Sequence, residues 1–327
     1  MPKPRVYVHR LSGKFGYDAY VGGDAHALLE SFADVVNDAA SPAPIAPAEM
    51  AKRLRGIDAI LSLNGSGAKD ICPEALDEAR DLKAVVVSHW WHGTHNAMRD
   101  MLEAAGVQVI DESDGCNEAV AEWTVGAAIA GLRHFADYDR QMKLGVEWPS
   151  WRAAGQLHGS TVGLVSLGRV GRLVARMMRA FDTRILAFDP GVSLEQAGEM
   201  GVELTDLETL FRQSDVITLH APVTPQTAGM IQARHFRAIR DGAVFINCGR
   251  AALVDGEAMR AELAKGRFCA YLDVFAPEPP SLHDPLRQFR NVVMTPHVAG
   301  TTPAMFRRCG RKAIERLRDF LGAAAGG

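Results

Sequence analysis

The chain has 327 residues but only five cysteines, and no two of them form a CxxC pair. This excludes the common zinc and redox motifs, and the odd number of thiols indicates reduced cysteines and a cytoplasmic location. Apolar runs of about 18 residues are also absent, so no membrane span is predicted. Residues 1–5 are followed by no apolar stretch of the kind that forms a signal peptide, and none is expected.

Neither sign of charge is in excess, because 36 Lys and Arg residues face 39 Asp and Glu residues for a net charge of −3. This balance argues against a general binder of nucleic acids or anionic membranes. Aromatic residues are sparse at 7%, while apolar residues reach 47%, as in ordinary globular proteins. A chain of this length is expected to form about two domains, each with its own core.

Short apolar stretches alternate with helical patterns along the chain. The first series predicts strands at 5–9, 59–63, 84–88 and 107–110, and helices at 25–37 and 97–105. A long apolar helix is predicted at 118–138, buried in the core or against a second subunit. The second series predicts strands at 161–166, 184–188, 216–220, 243–247, 270–274 and 291–294, then an amphipathic helix at 302–321 and a frayed tail. This alternation predicts an α/β fold with parallel sheets flanked by helices.

A strand, a tight turn and a helix start at 161–171 form a dinucleotide fingerprint. Gly168 allows the backbone to approach a pyrophosphate, and Gly171 allows the helix to pack close to the strand. Ser166 stands where the first glycine is usual. Asp189 ends the next strand, 18 residues after Gly171 (189 − 171). Its carboxylate is expected to accept hydrogen bonds from the adenosine ribose and to repel a 2′-phosphate, which favours NAD over NADP. A plain β-turn-α without ligand remains the alternative.

Further along, a guanidinium, a carboxylate and an imidazole follow successive apolar stretches: Arg250, Glu278 and His297. Together these groups can bind a carboxylate, tune an acid and deliver a proton. With the fingerprint upstream, hydride transfer to a 2-oxo acid is the natural interpretation. Taken singly, each also has a structural explanation, as a surface cation, a solvated loop acid or a core histidine.

The motifs resemble those of the D-isomer-specific 2-hydroxyacid dehydrogenases over most of the chain. The matching segments are 117–122, 163–171, 220–225, 247–250, 253–255, 272–275, 278–279 and 295–300. The resemblance implies two Rossmann-like or flavodoxin-like parallel-sheet domains with an active-site cleft between them. A substrate domain would comprise 1–112 plus 299–327, and an NAD-binding domain would comprise 113–298. It also implies a homodimer. With 327 residues, the chain is expected to be too short for the extra C-terminal regulatory domain of some phosphoglycerate dehydrogenases.

The resemblance also implies a role for each residue of the motifs. Arg250 would bind the substrate carboxylate, His297 would be the general acid or base, and Glu278 would be its partner. The implied contacts with NAD are Ser166, Gly168, Arg169, Val170, Gly171, Asp189, His220, Pro222, Thr227, Cys248 and Asp273, of which Asp273 would hold the nicotinamide. No metal is implied by this chemistry.

Two segments of the first domain are predicted to contact the substrate. The loop Asn64-Gly65-Ser66-Gly67 is expected to offer backbone N–H groups to the substrate carboxylate opposite Arg250, with a plain turn as the alternative. Residues 89–96 depart from the family's glycine-rich loop, and Trp91 stands at its first glycine. Trp91 would either wall the pocket and alter substrate choice or pack at the domain interface. The histidines at 89, 92 and 95 are not expected to bind metal.

Three functions therefore stand open. The first is an NAD-dependent dehydrogenase of D-2-hydroxy acids acting on small oxo acids such as glyoxylate or hydroxypyruvate. The second is oxidation of another oxyanion, such as phosphite, in the same cationic pocket. The third is an NAD-sensing scaffold similar to the corepressors that share this architecture. The complete Arg, Glu and His trio favours the first function.

Overall fold

The computed structural model describes residues 2–11, 15–41, 44–63, 70–88, 94–150 and 153–325, with only the backbone at 94–97, 324 and 325. The chain divides into two compact units, one comprising Met1–Cys116 with Thr301–Gly327 and the other Asn117–Gly300. The sequence places the boundaries at 112/113 and 298/299, and the substrate-binding role of the first unit stays a prediction.

The first unit contains a five-stranded sheet in the order β2-β1-β3-β4-β5. Its strands are β1 Arg5–Val8, β2 Asp34–Asn37, β3 Ala59–Ser62, β4 Ala84–Ser88 and β5 Gln108–Glu112. All neighbouring pairs are parallel, and β3 and β4 are buried along their whole length. The helices of this unit are Tyr17–Tyr20, Gly23–Phe32, Pro47–Leu54, Pro73–Leu76, Thr94–Ala104 and Pro303–Ala325.

The predicted helix at 25–37 is wrong in its last residues, because the helix ends at Phe32 and β2 follows. Val35 and Val36 pair with β1, and their β-branched side chains suit a strand. Pairing with a distant strand decided the structure here. At the other end of the chain, the final helix runs to Ala325 rather than 321, in keeping with the high helix propensity of alanine.

The second unit contains a seven-stranded sheet in the order β12-β11-β10-β9-β6-β7-β8, again with parallel pairs. Its strands are β6 Thr161–Val165, β7 Arg184–Phe188, β8 Glu203–Leu204, β9 Val216–Leu219, β10 Val244–Asn247, β11 Cys269–Leu272 and β12 Val292–Met294. Its helices are Asn117–Leu132, Phe135–Lys143, Arg169–Met178, Leu194–Glu199, Leu207–Gln213, Ala233–Ala238 and Gly256–Leu263. The strand order reverses between β6 and β9, which is where doubly wound sheets bind ligands.

The long apolar helix predicted at 118–138 is in fact two helices, Asn117–Leu132 and Phe135–Lys143. His134 separates them with a φ of 55°, in the left-handed region. The first of the two packs closely on the sheet, since a Cβ added to Gly131 would lie 2.7 Å from Val244. Ala121, Ala127, Ala128 and Leu132 of this helix belong to the core, as expected for a helix with so little polar surface.

Two parallel sheets, each accompanied by helices, confirm the predicted α/β fold. Neither β2 nor the two-residue β8 was predicted, because β2 lies where a helix was expected and β8 is very short. Over the residues described above, no helix combines the length and apolar character needed to cross a membrane.

Candidate active site

The three predicted catalytic side chains follow three neighbouring strands of the second unit. Arg250 comes after β10, Glu278 after β11 and His297 after β12, and these strands lie side by side in the sheet. Parallel strands end at the same edge, so all three residues stand beyond the carboxyl edge of one sheet. This is the edge at which open α/β sheets bind their ligands.

His297 and Glu278 are in direct contact, with 2.9 Å between Nδ1 of the ring and Oε2 of the carboxylate. Each side chain is 24% exposed, so solvent and ligands can reach the pair. The other carboxylate oxygen, Oε1, accepts a hydrogen bond of 2.8 Å from the backbone N–H of Phe275, which fixes the orientation of Glu278. A carboxylate bound at Nδ1 fixes the orientation of the ring.

The turn that carries His297 is built on the buried carboxylate of Asp273. Oδ1 accepts hydrogen bonds from Thr295 Oγ1 at 2.5 Å and from the N–H of Val298 at 2.8 Å. Oδ2 accepts one from the N–H of Ala299 at 2.8 Å, and the residue is fully buried. The sequence predicts that Asp273 contacts the nicotinamide, and it does not predict these hydrogen bonds. Their one indication in the sequence is an acidic residue at the end of a predicted strand.

Arg250 lies in a tight turn held by Asn247. The Asn247 side chain donates to the carbonyl oxygen of Arg250 at 3.1 Å and accepts from the N–H of Gly249 at 3.2 Å. A Cβ at Gly249 would lie 2.9 Å from the Leu219 carbonyl oxygen, so only glycine fits without displacement. Asn247 is buried and was not predicted as a site residue, although it stands within a quoted motif. Its role is to set the direction in which Arg250 leaves the strand.

The predicted nucleotide turn joins β6 to the helix Arg169–Met178, whose first turn contains Arg169 and Val170. Gly168 directly precedes this helix. A Cβ added to Gly171 would lie 2.2 Å from the carbonyl oxygen of Ser166, so the helix packs against the turn as closely as predicted. A helix N-terminus with no acidic residue in its first turn suits a pyrophosphate. These residues fit a bound dinucleotide.

Asp189 follows β7 and turns its carboxylate towards the nucleotide turn. Oδ2 accepts hydrogen bonds from the N–H of Leu167 at 2.7 Å and from Ser166 Oγ at 3.1 Å. Oδ1 accepts one from the N–H of Gly191 at 2.9 Å. The structure therefore brings together two predicted cofactor residues, Ser166 and Asp189, through a contact that the sequence did not predict.

Three further predicted cofactor residues lie at or after the end of β9. His220 has its Nε2 3.1 Å from Thr218 Oγ1, and burial lowers its pKa to about 4, so the ring is neutral at pH 7. Pro222 accepts a hydrogen bond of 2.6 Å from Thr227 Oγ1, which also accepts from the N–H of Thr224 at 2.7 Å. These bonds shape the loop at the same edge of the sheet.

Cys248, directly after β10, is buried and lies with its Sγ 3.3 Å from Thr124 Oγ1. Burial raises the pKa of its thiol to about 12. The thiolate that a nucleophile requires is therefore scarce at neutral pH. The geometry favours a packing role beside the site over a role as a nucleophile.

The predicted substrate loops fall outside the described residues. Asn64, Gly65, Ser66, Gly67 and Trp91 belong to these segments, and their assignment stays a prediction. Within the part of the chain that the structure describes, no group of three or more His, Cys, Asp or Glu side chains is arranged to hold a metal ion. The histidines at 89, 92 and 95 are not covered by that observation.

Comparison with known proteins places this site in a family. Residues 125–299 match the family model described as "D-isomer specific 2-hydroxyacid dehydrogenase, NAD binding domain". A D-3-phosphoglycerate dehydrogenase from Archaeoglobus fulgidus is 36% identical over 70% of this chain and 43% of its own length. A glyoxylate reductase from Thermofilum pendens is 32% identical over 98% of this chain and 92% of its own length. The apo crystal structure of Rhodotorula graminis D-mandelate dehydrogenase shares the fold, with a TM-score of 0.83, 20% identity, and coverage of 98% and 94%.

The fold and the nucleotide turn define a dinucleotide-binding α/β protein. The chain belongs to the D-isomer specific 2-hydroxyacid dehydrogenases, and its cofactor is NAD. This confirms the resemblance found in the motifs. The chain spans about half the length of the D-3-phosphoglycerate dehydrogenases it matches, 43% and 51% for two archaeal examples.

Proposed function

We propose that this chain is an NAD(H)-dependent oxidoreductase that interconverts D-2-hydroxy acids and 2-oxo acids by hydride transfer. The observation that carries the proposal is the 2.9 Å contact between His297 and Glu278, at the sheet edge where Arg250 also emerges. An acid–base pair and a permanent cation beside a nucleotide turn are what the reduction of a 2-oxo acid requires.

Arg250 binds the substrate carboxylate in this mechanism. Its guanidinium keeps its charge at all working pH values and can donate two parallel hydrogen bonds to one carboxylate. The extended backbone at Arg250, with φ −143° and ψ 136°, and the contact with Asn247 fix where the side chain starts. Holding the carboxylate fixes the position of the neighbouring carbonyl carbon.

His297 supplies and accepts the proton. In reduction, Nε2 of the protonated ring donates its proton to the carbonyl oxygen. The hydride for the carbonyl carbon would come from NADH, so the products would be the hydroxy acid and NAD⁺. In oxidation, the neutral ring takes the hydroxyl proton. The carboxylate of Glu278 stabilises the ring while it carries the positive charge, and it holds the ring through Nδ1.

The nucleotide turn and the sheet edge would hold the cofactor. Gly168, Arg169 and Val170 would offer the start of a helix to the pyrophosphate, and Asp189 would accept from the adenosine ribose. The residues that would contact the rest of the cofactor lie further along the same edge: His220, Pro222, Thr227, Cys248 and Asp273. A carboxylate at Asp189 favours NAD over NADP because it repels a 2′-phosphate.

Small 2-oxo acids are the proposed substrates, with glyoxylate and hydroxypyruvate first. The test is a panel of 2-oxo acids with NADH, in which loss of NADH absorbance reports turnover. NADH binding without turnover of any 2-oxo acid would support the NAD-sensing scaffold instead. Reduction of NAD⁺ by phosphite would support the oxyanion alternative.

A second copy of the chain is the proposed partner, in a homodimer. Large apolar side chains are exposed along the helix Phe135–Lys143 and just beyond it, where Leu144 is 71% exposed and Trp148 is 75% exposed. Several large exposed apolar side chains within one short segment are typical of an interaction site. Light scattering should give twice the mass of one chain, and Trp148→Glu should shift the protein towards monomer. A monomeric parent protein would contradict the proposal.

The cytoplasm is the proposed location. All five cysteines are free, as expected for thiols kept in a reducing compartment. Cell fractionation with an antibody against the chain would check this, and recovery from an oxidising compartment would contradict it.

A further inference from the structure

Ser166 occupies a backbone position that suits glycine better than serine. It follows β6 with a φ of 83°, a conformation that L side chains rarely adopt. Glycine is usual at this position of the fingerprint because the turn requires that conformation. A serine kept at a strained position suggests a function for its side chain.

The side chain of Ser166 is committed to Asp189, since its Oγ donates to Oδ2 across 3.1 Å. The same oxygen accepts from the N–H of Leu167, and Oδ1 accepts from the N–H of Gly191. A carboxylate offers about four acceptor positions, so these three donors leave about one. The adenosine ribose presents two hydroxyl groups, and Asp189 alone is short of an acceptor for the second.

The Ser166 oxygen can provide that acceptor. While its hydrogen points to Asp189, a serine hydroxyl keeps two lone pairs for other donors. The residue is only partly buried, so a ligand at the turn can reach it. A 2′-phosphate has no proton to donate at neutral pH, and the serine hydrogen that would bind it is already used by Asp189.

We propose that Ser166 is a specificity-determining residue that accepts one adenosine-ribose hydroxyl beside Asp189 and so favours NAD over NADP. The inference rests on the proposed ribose-binding role of Asp189. The hydroxyl of Ser166, rather than the shape of the turn, would cause the added preference for NAD. The donated hydrogen bond also holds the carboxylate in one orientation before the cofactor arrives, which reduces the ordering cost of binding.

The test is calorimetric titration of Ser166→Ala with NADH, NADPH and ADP-ribose, which lacks the nicotinamide but keeps the adenosine ribose. Loss of one hydrogen bond should raise the Kd for NADH and for ADP-ribose by about three- to tenfold. The Kd for NADPH should stay within about twofold, because the phosphate does not use this acceptor. A Kd for NADH that is unchanged or lower in Ser166→Ala would overturn the inference.

Ser166→Gly separates the hydroxyl from the strained backbone. Both variants lack the hydroxyl, and only glycine also relieves the strain of the positive φ. If the hydroxyl is the cause, both variants should lose NADH affinity equally. Recovery of parental affinity in Ser166→Gly would show that backbone strain was the cause and would overturn the inference. Ser31→Ala, an exposed serine of the helix Gly23–Phe32, is the matched control and should bind NADH as the parent does.

The double variant Asp189→Ala with Ser166→Ala separates this inference from the proposed ribose-binding role of Asp189. Its Kd for NADH should be close to that of Asp189→Ala alone, because the two residues act as one acceptor group. If Asp189→Ala weakens NADH while Ser166→Ala does not, the inference fails and the ribose role of Asp189 stands. If Asp189→Ala weakens NADH and NADPH equally, the ribose role itself fails.

Discussion

The carboxylate of Asp273 accepts a hydrogen bond of 2.8 Å from the backbone N–H of Ala299, two residues beyond His297. Asp273 directly follows β11, and the turn it holds follows β12. His297 sits in that turn with a φ of 54°, outside the usual regions for a non-glycine residue. A buried acid therefore fixes the backbone from which the His297 side chain extends.

Asp273→Asn should impair catalysis more than cofactor binding. The amide keeps the size of the side chain but presents an NH₂ group to one of three donors, which disturbs the turn and costs about 1–3 kcal/mol of stability. We expect kcat/KM with a 2-oxo acid to fall at least tenfold, while the Kd for NADH changes less than threefold. Asp241→Asn, at an exposed carboxylate, is the control. A loss confined to NADH affinity would instead favour the predicted contact with nicotinamide.

Arg250→Ala should lower kcat/KM by two or more orders of magnitude, because a charged partner of the substrate carboxylate is lost. NADH affinity, measured by titration, should remain near that of the parent. Arg240→Ala removes a surface arginine that pairs with Asp215 and should keep full activity. Unchanged kinetics in Arg250→Ala would remove this residue from the substrate site.

Glu278→Gln should lower kcat for 2-oxo acid reduction by about 10- to 100-fold. This is at or below the lower end of the range for a general acid or base, because Glu278 acts through His297. The amide can still contact Nδ1 of His297, but it no longer stabilises the positive ring. NADH affinity should be retained. Glu257→Gln, an exposed glutamate in the first turn of the helix Gly256–Leu263, serves as the control. Full activity in Glu278→Gln would mean that the carboxylate is only structural.

His9 should make stability depend on pH between about 6.5 and 4. Its pKa is lowered from 6.5 to about 4, mainly because the ring is buried. The charge of Asp70 raises the pKa in part, and the charge of Arg10 lowers it. In this window the unfolded chain binds a proton that the folded chain does not, so the free energy of unfolding decreases as the pH falls. The contribution of this single histidine is on the order of 3 kcal/mol across the window.

Urea unfolding at a series of pH values would measure this effect. His9→Gln should give a shallower slope of unfolding free energy against pH between 6.5 and 4, whatever its absolute stability. His158→Gln, at a largely exposed histidine, should keep the parental slope. Equal slopes for His9→Gln and the parent would show that other groups control acid unfolding.

Much of the fold follows from local pattern. The predicted strands at 84–88 and 184–188 coincide with those of the structure. Short runs of β-branched and other apolar residues are typical of buried strands. The end of the helix at Phe32 and the break between helices at His134 were not predictable in the same way. The first depends on pairing with β1, and the second on a single residue that adopts the left-handed conformation.

The candidate site shows the same division. The sequence by itself determined which chemical groups stand at the ends of which strands, since a strand and the residue that follows it are adjacent in the chain. Only the tertiary structure decided that Glu278 contacts His297, that Asp273 holds the turn beneath it, and that Ser166 donates to Asp189. Each of these contacts joins residues 19 to 26 positions apart. Such contacts arise from the order and register of parallel strands, which short-range patterns do not encode.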